Sequence, residues 1–264
     1  MPQPVSWQSL STTDFERLDL ERTVAVLPVS ATEQHGPHLP VGTDALINRG
    51  IIGALRGRLD ESHSVVVLPA FEVGASEEHV DYPGTLAVGP ERLLPIWVDA
   101  CRGVARAGIR RLVILNSHGG QRGLVDQVAL RLRISAQMLV VRCNYFAFGA
   151  PAGLFDAEEL RHGLHGGEAE TALMMHLNPE LVRKDQLANF ESLGQRLAQS
   201  STWLGVEKPV GIGWKASDLN KAGVVGGASR ADPERGRAYL EHIADALAEL
   251  LRETAAVPMD IISD

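Results

Sequence analysis

Apolar and polar positions follow one another along this chain in blocks that predict alternating strands and helices. Short apolar runs predict strands at residues 23–29, 64–70, 111–115 and 137–142. Longer stretches with apolar residues every three or four positions predict helices at 45–59, 91–107 and 123–134. Strand and helix in alternation indicate an α/β fold. We predict a three-layer sandwich whose mostly parallel central sheet is flanked by helices.

The rest of the chain adds one helix and two irregular segments. The pattern predicts a helix over residues 233–254, with Asp232 placed to cap it and Pro233 at its first position. Residues 71–90 and 178–230 show no regular pattern, and long irregular segments in compact domains usually carry function or subunit contacts. Because no stretch has the composition of a linker, we expect a single domain over residues 1–264.

Composition narrows the function classes. The net charge of −8 and the aromatic share of 5% argue against a nucleic-acid partner. Cys101 and Cys143 each lie in an apolar run, which favours buried reduced thiols and a cytoplasmic location over a disulfide. No segment has the ~20 apolar residues of a membrane span, and the first residues do not resemble an export signal. We expect neither export nor membrane anchoring.

Residues suited to binding metal follow the first predicted strand directly. Glu33, His35 and His38 lie within the nine residues after it, and Asp44 comes nine residues after His35. Carboxylates and imidazoles are the usual oxygen and nitrogen ligands of divalent metals in proteins. The carboxyl ends of the strands are also where open α/β sheets bind their ligands.

Two more segments carry side chains of the same kind. Residues 116–121 (NSHGGQ), which include His118, come directly after the third predicted strand. Residues 165–171 (HGGEAET) open a further predicted helix and include His165. No GxGxxG, GxxxxGK[ST] or GxSxG pattern occurs, which excludes the common nucleotide-binding loops and the serine-hydrolase elbow.

Each of these residues also has a simpler explanation. Asp44 alone is typical of a helix cap, and Glu168 alone is typical of first-turn charge that complements the helix dipole. Independent caps, however, have no reason to gather at one edge of a sheet, so together the residues favour a metal site. The gathered residues are Glu33, His35, Asp44 and His118.

Four blocks stand out along the chain: residues 29–44 (VSATEQHGPHLPVGTD), 73–88 (VGASEEHVDYPGTLAV), 116–121 (NSHGGQ) and 165–171 (HGGEAET). In this order they resemble the creatininase, or creatinine amidohydrolase, family. The resemblance implies an α/β sandwich, assembly as a homohexamer and a two-metal site. By the same resemblance, one ion would be held at Glu33, Asp44 and His118. The second would be held in part at His35, with Asp44 as the bridge.

The resemblance also implies residues that act on the substrate. His165 would lie outside the metal shell and protonate the leaving nitrogen. Ser76 would contact the substrate by family position, and Gly119 would let the backbone approach it closely. Zinc, manganese and iron all suit the nitrogen and oxygen ligands.

The chain departs from true creatininases at two places. In those enzymes Tyr and Glu follow the metal-binding His, and the Glu is a ligand of the second metal, whereas this chain has Gly119 and Gly120. We predict that Glu170, or else Glu168, supplies the missing ligand.

The second departure concerns the substrate. Creatininases carry a Trp and an acidic residue before the His of the HGGEAET block, where this chain has Arg161 and His162. A cationic Arg161 at that place favours a carboxylate or phosphate on the substrate.

Together these observations predict a metal-dependent amidohydrolase that cleaves an amide-type C–N bond in a cyclic amide, a formamide or a small peptide-like substrate. Branches of the family with HGG include deformylases of flavin and deazaflavin synthesis and a peptidase that trims the mycofactocin precursor. Two alternatives stay open: a metal-dependent lyase or isomerase acting on a sugar-like substrate, and a binding protein that keeps the fold without the chemistry.

Overall fold

The computed structural model describes residues 3–262, in which five strands form one sheet. The strands are β1 (Val5–Ser6), β2 (Thr23–Val29), β3 (Ser64–Val67), β4 (Arg111–Asn116) and β5 (Leu139–Asn144). They lie in the order β1-β3-β2-β4-β5, and every neighbouring pair is parallel. The expectation of a parallel α/β sheet is confirmed.

Helices cover both faces of this sheet. They are α1 (Thr12–Phe15), α2 (Thr43–Ala54), α3 (Pro90–Arg106), α4 (Arg122–Ala136), α5 (Ala157–His162), α6 (Glu168–Leu177), α7 (Leu193–Ala198), α8 (Ala216–Leu219) and α9 (Pro233–Ala256). Helices α2, α6 and α9 bury one apolar core against the sheet. Helices α3 and α4 bury a second core on the opposite face. The predicted three-layer sandwich is therefore confirmed.

The structure corrects the bounds of three predicted strands and adds one strand that was not predicted. β4 ends at Asn116 rather than at residue 115, and β5 ends at Asn144 rather than at residue 142. β3 ends at Val67 rather than at residue 70, and Pro69 in this stretch has no N–H to donate to a ladder. β5 starts at Leu139 rather than at residue 137, because Gln137 has a left-handed backbone (φ 50°) that ends α4. The two-residue strand β1 was not predicted, since so short a segment has no periodicity.

The two central strands end side by side. β2 and β4 are neighbours, and their pairing runs up to Val29 opposite Asn116. Asn48 of α2 fixes this edge, because its amide donates to the carbonyls of Val29 (3.2 Å) and Leu115 (3.1 Å). The residues that follow β2 and β4 consequently emerge at the same place.

The two cysteines, Cys101 and Cys143, are buried free thiols, as the sequence predicts. The segment 178–230 consists of loops and short helices, and part of it lines a cavity at the carboxyl edge of the sheet. Within residues 3–262, no helix combines the length and apolar character needed to cross a membrane.

Candidate metal centre

The turn after β2 buries two predicted ligands at the edge of the sheet. Glu33 is 0% exposed and His35 is 1% exposed. The Nδ1 of His35 lies 3.0 Å from the carbonyl oxygen of Glu33, so this nitrogen carries the proton and donates to that carbonyl. The other ring nitrogen, Nε2, faces the carboxylates of Asp44 and Glu170. Burial lowers the pKa of His35, but these carboxylates raise it to about 9, so an ion that binds at Nε2 would displace a proton.

Asp44 occupies the first turn of α2 and lies between two histidines. Its Oδ1 is 3.4 Å from His35 Nε2, and its Oδ2 is 3.5 Å from His118 Nδ1. Position in a first helical turn favours a carboxylate, because unpaired backbone N–H groups make that end positive. Each oxygen of this buried carboxylate therefore faces a different imidazole, as a bridging ligand requires.

His118 is fixed by the turn that follows β4. Asn116 holds this turn from both sides, accepting from the His118 N–H (3.1 Å) and donating to the His118 carbonyl (2.7 Å). His118 Nε2 lies 3.0 Å from the carbonyl oxygen of Ala75, so Nε2 carries a proton and donates to that carbonyl. The other ring nitrogen, Nδ1, faces the centre and lies 3.1 Å from Glu33 Oε1. A histidine that donates one ring N–H to a carbonyl and offers the other nitrogen is the arrangement found at metal sites.

Unpartnered atoms converge on the same space. Within the described residues, Glu33 Oε1, His35 Nε2 and Asp44 Oδ2 are buried and make no hydrogen bond. Buried polar atoms without partners are rare and costly, which calls for an explanation at each one. Ligand atoms of Glu33, His35 and Asp44 lie within 4.8 Å of one another, so a divalent cation would satisfy all three.

The electrostatics of the centre also favour cations. Burial and the neighbouring charge of Glu33 raise the pKa of Asp44. Burial, opposed in part by His35, raises the pKa of Glu170 to about 7. Burial opposes ionisation of Glu33 as well, but the positive charge that His118 carries in the absence of an ion holds the pKa of Glu33 well below the usual value. Crowded buried carboxylates of this kind are stabilised by a divalent ion.

The structure distinguishes between Glu170 and Glu168 as candidates for the missing ligand of the second metal. Glu170 Oε2 lies 4.0 Å from His35 Nε2, and ligand atoms of His35, His165 and Glu170 lie within 4.8 Å of one another. The carboxylate of Glu168 instead pairs with Arg230 (3.0 Å) and with Arg235. Glu168 therefore anchors α6 away from the centre, and Glu170 is the glutamate that the fold brings to it.

Glu78 fills the space that a side chain at position 120 would need. A Cβ built on Gly120 would lie 1.6 Å from Glu78 Oε1 and 2.7 Å from His118 Nε2. In the structure, Glu78 Oε1 approaches His118 Nε2 to 3.4 Å. The glycine of the HGG sequence thus leaves room for a carboxylate that arrives from the 71–90 segment.

Two more histidines face Glu33 from the other side. His79 Nε2 and His165 Nδ1 each lie 3.5 Å from Glu33 Oε1. Burial and the neighbouring His35 and His79 hold the pKa of His165 well below its usual value. His165 is consequently neutral at neutral pH.

The predicted substrate residues occupy different positions. Gly119, Arg161 and His162 line a cavity of about 670 Å³ in front of the centre, and Arg161 is exposed there. Ser76 is fully buried and donates to Glu33 Oε2 (2.5 Å). A substrate contact for Ser76 stays a prediction.

Sequence reasoning did not single out Glu78 or His79. Both lie in the block 73–88 on which the family resemblance partly rests, but that segment lacks periodicity and offers no strand end from which to place a side chain. The adjacent Glu78 and His79, two residues of the kind that bind metals, within an irregular segment expected to carry function, were the available signal.

Comparison with known proteins agrees with this geometry. The sequence profile of the family described as creatinine amidohydrolase matches residues 8–251. The chain belongs to the creatininase family. A crystal structure of a candidate creatinine amidohydrolase from Bacteroides fragilis superposes with a TM-score of 0.76 and 27% identity, covering 98% of this chain and 99% of that one. The creatininase fold is therefore shared over nearly the whole length.

Two curated relatives match over shorter segments of the chain. The mycofactocin precursor peptide peptidase of Mycobacterium ulcerans (strain Agy99) is 33% identical over 168 residues, 62% of each protein. The creatinine amidohydrolase of Pseudomonas putida is 30% identical over 188 residues, 63% of this chain and 68% of that protein. The chain thus spans somewhat under two thirds of the length of the peptidase.

Proposed function

We propose that this protein is a hydrolase that cleaves an amide-type C–N bond with a water activated at two divalent metal ions. The observation that carries the proposal is the placement of Asp44, whose two oxygens face His35 and His118 separately. One ion would lie among Glu33, Asp44 and His118, and the other among His35, Asp44 and Glu170. Two such ions would make a water held there more acidic and would polarise the carbonyl oxygen of the substrate.

His165 is the proposed proton carrier. Its Nε2 lies 2.7 Å from the carbonyl oxygen of Gln34 and carries the proton, which leaves Nδ1 bare towards the centre. Nδ1 accepts a proton from the attacking water as the oxygen–carbon bond forms. It then donates that proton to the nitrogen as the carbon–nitrogen bond breaks, so an acid and an amine are released.

The cavity indicates the class of substrate. Its volume of about 670 Å³ accommodates a small molecule or a short peptide segment. Arg161 is an exposed cation on its wall and has no ion pair among the described residues. We propose an amide whose other end bears a carboxylate or phosphate, with Arg161 as the anchor. The peptidase relative favours a peptide with a free carboxylate among the substrates to be tested.

Metal identity and assembly belong to the same proposal. The nitrogen and oxygen ligands suit zinc, manganese or iron. We propose a cytoplasmic homohexamer in which each subunit holds its own ions. Light scattering on the purified protein measures the mass of this assembly.

The test is a screen of formamides, cyclic amides and short peptides with detection of the released amine and acid. Hydrolysis of at least one carboxylate-bearing amide is expected, with a higher KM in Arg161→Gln. The exposed Arg92→Gln on α3 is the matched control, with an unchanged KM. Conversion of a sugar-like substrate without release of amine or acid would favour a lyase or isomerase instead.

His165→Gln tests the proton carrier within the same screen. The variant should keep its metal content and lose roughly 10²- to 10⁴-fold in kcat, the usual contribution of a positioned acid or base. Unchanged turnover would show that His165 is not the proton carrier, and loss of an ion would show that it is a metal ligand.

A further inference from the structure

The side-chain amide of Gln34 has only one possible orientation. Its Oε1 accepts from the N–H of Gly36 (2.9 Å), and its Nε2 donates to the carbonyl of Gly223 (2.6 Å). Reversing the amide would set its NH₂ against the Gly36 N–H and its oxygen against the Gly223 carbonyl. Both contacts would then be repulsive, in a site where Gln34 is only 5% exposed.

This orientation decides which nitrogen of His79 carries the proton. The second hydrogen of Gln34 Nε2 points to His79 Nδ1, at 2.8 Å. Because the amide nitrogen can only donate, Nδ1 has to accept, and the proton of the neutral ring is on Nε2. His79 Nε2 lies 3.5 Å from Glu33 Oε1 and 4.0 Å from Glu78 Oε1, so the N–H is directed at the centre.

The backbone of Gln34 gives His165 the opposite form. His165 Nε2 donates to the Gln34 carbonyl at 2.7 Å, and its bare Nδ1 faces Glu33 Oε1. The rings of His79 and His165 lie against each other, with centroids 4.3 Å apart. Gln34 thus places a hydrogen-bond donor, the Nε2–H of His79, beside an acceptor, the Nδ1 of His165, at the cavity.

We infer that Gln34 is a positioning residue that holds His79 in its Nε2–H form, so that His79 donates a hydrogen bond to a substrate oxygen and is not a metal ligand. This inference rests on the hydrolase proposed for the same site. A fixed N–H donor that faces the reacting group stabilises the oxygen on which negative charge develops during attack on an amide. Ligand atoms of Glu33, His79 and His165 lie within 4.8 Å of one another, but the proton on His79 Nε2 prevents that nitrogen from binding an ion.

The tautomer can be observed directly by solid-state NMR of protein labelled with ¹⁵N-histidine. The signals that disappear in His79→Gln assign this ring, and we expect a protonated Nε2 and a bare Nδ1 in the unsubstituted protein. In Gln34→Glu the new carboxylate accepts from Nδ1, so the proton of His79 should move to Nδ1. The exposed Gln8→Glu is the control for the charge change and should leave the spectrum unaltered. A proton on Nδ1 in the unsubstituted protein would overturn the inference.

Metal content and kinetics separate a donor from a ligand. His79→Gln should retain the metal content of the unsubstituted protein and lose roughly 10²- to 10³-fold in kcat with little change in KM, as for an oxyanion donor. Gln34→Glu should also lower kcat with little change in KM. Loss of an ion from His79→Gln would show that His79 is a metal ligand and would contradict the inference. The NMR and metal measurements need no substrate, so they decide the tautomer even if no amide is hydrolysed.

Discussion

Gly120 and Glu78 occupy one small volume beside His118. The Glu78 carboxylate approaches the outer ring nitrogen of His118, opposite the nitrogen that faces Glu33 and Asp44. Acceptors on the outer nitrogen of a metal-binding histidine fix its orientation and raise its basicity. Gly120 of the HGG sequence therefore affects the metal centre indirectly, because it leaves room for Glu78 to contact His118.

Gly120→Ala tests this relation. The added Cβ would lie 1.6 Å from Glu78 Oε1 and 2.7 Å from His118 Nε2, so Glu78 must move away from His118 and the His118 ring must shift. We expect metal affinity to fall by about 10- to 100-fold, the usual effect of losing an outer partner of a ligand. Competition with a chromogenic chelator measures the affinity.

The adjacent glycine is the matched control for this substitution. A Cβ on Gly119 meets no atom within 4 Å, so Gly119→Ala should bind metal as the unsubstituted protein does. Glu78→Ala should reproduce part of the loss, and the double variant Glu78→Ala/Gly120→Ala should lose less affinity than the sum of the two single variants, because both changes remove the contact between Glu78 and His118. Full additivity of the two effects would contradict the account.

At the scale of elements, the position of α6 decides where Glu170 lies. α6 packs closely on α9 at Gly236, where a Cβ would lie 1.9 Å from the Ala172 carbonyl oxygen. The obstacle is backbone, which cannot rotate away as a side chain can. Contact between these two helices therefore requires glycine at position 236.

Gly236→Ala should separate α6 from α9. Overpacking of this kind costs about 1–3 kcal/mol of stability, and displacement of Glu170 should also weaken metal binding. The matched control is Gly103→Ala in α3, where the nearest atom is Arg106 Nη2 at 3.6 Å and alanine gains up to about 1 kcal/mol of helix propensity. Urea unfolding measures both variants, and equal stability of the two would refute the packing argument.

The elements show how far sequence alone reaches. Strands β2 and β4 were predicted to within a residue, because continuous apolar runs of that length are typical of strands buried on both faces. Positions after the ends of these strands predict four metal ligands, which the structure brings together: Glu33, His35, Asp44 and His118. The choice of Glu170 over Glu168 could not be made from sequence, since it depends on Arg230 and Arg235, which are distant in the chain.

The 71–90 segment marks where sequence reasoning stops. His79 reaches the centre from a turn of 3₁₀ helix that has no periodic pattern, and its partner Gln34 is 45 residues away in the chain. Which ring nitrogen carries the proton depends on this long-range contact and on the carbonyl of Gly223. Such information lies in the packing of irregular segments, which local propensity does not encode.

At the scale of the whole molecule, His38 joins the layers around the centre. Its Nε2 lies 3.0 Å from Thr171 Oγ1 in α6, and its ring stacks on Phe190 of the 178–230 segment with centroids 5.5 Å apart. Burial lowers the pKa of His38 from 6.5 to about 4. The ring is thus neutral in the folded protein over a range in which the unfolded chain takes up a proton.

This difference predicts acid sensitivity. Below pH 6.5 the unfolded chain binds a proton at His38 that the folded protein does not bind until about pH 4, so stability falls as the pH is lowered through this window. The slope from one such group is at most about 1.4 kcal/mol per pH unit. In His38→Gln, urea unfolding of metal-free protein between pH 7 and pH 5 should show a shallower decline. Parallel declines in the two proteins would contradict the assignment.

Metal content per subunit tests the central claim most directly. Elemental mass spectrometry on protein purified without chelator should find about two equivalents of zinc, manganese or iron, as a dinuclear hydrolytic site requires. Asp44→Asn should lose both ions because an amide cannot bridge them, whereas the exposed Asp99→Asn should keep them. One equivalent or fewer in the reloaded unsubstituted protein, or two ions retained in Asp44→Asn, would contradict a bridged two-metal centre.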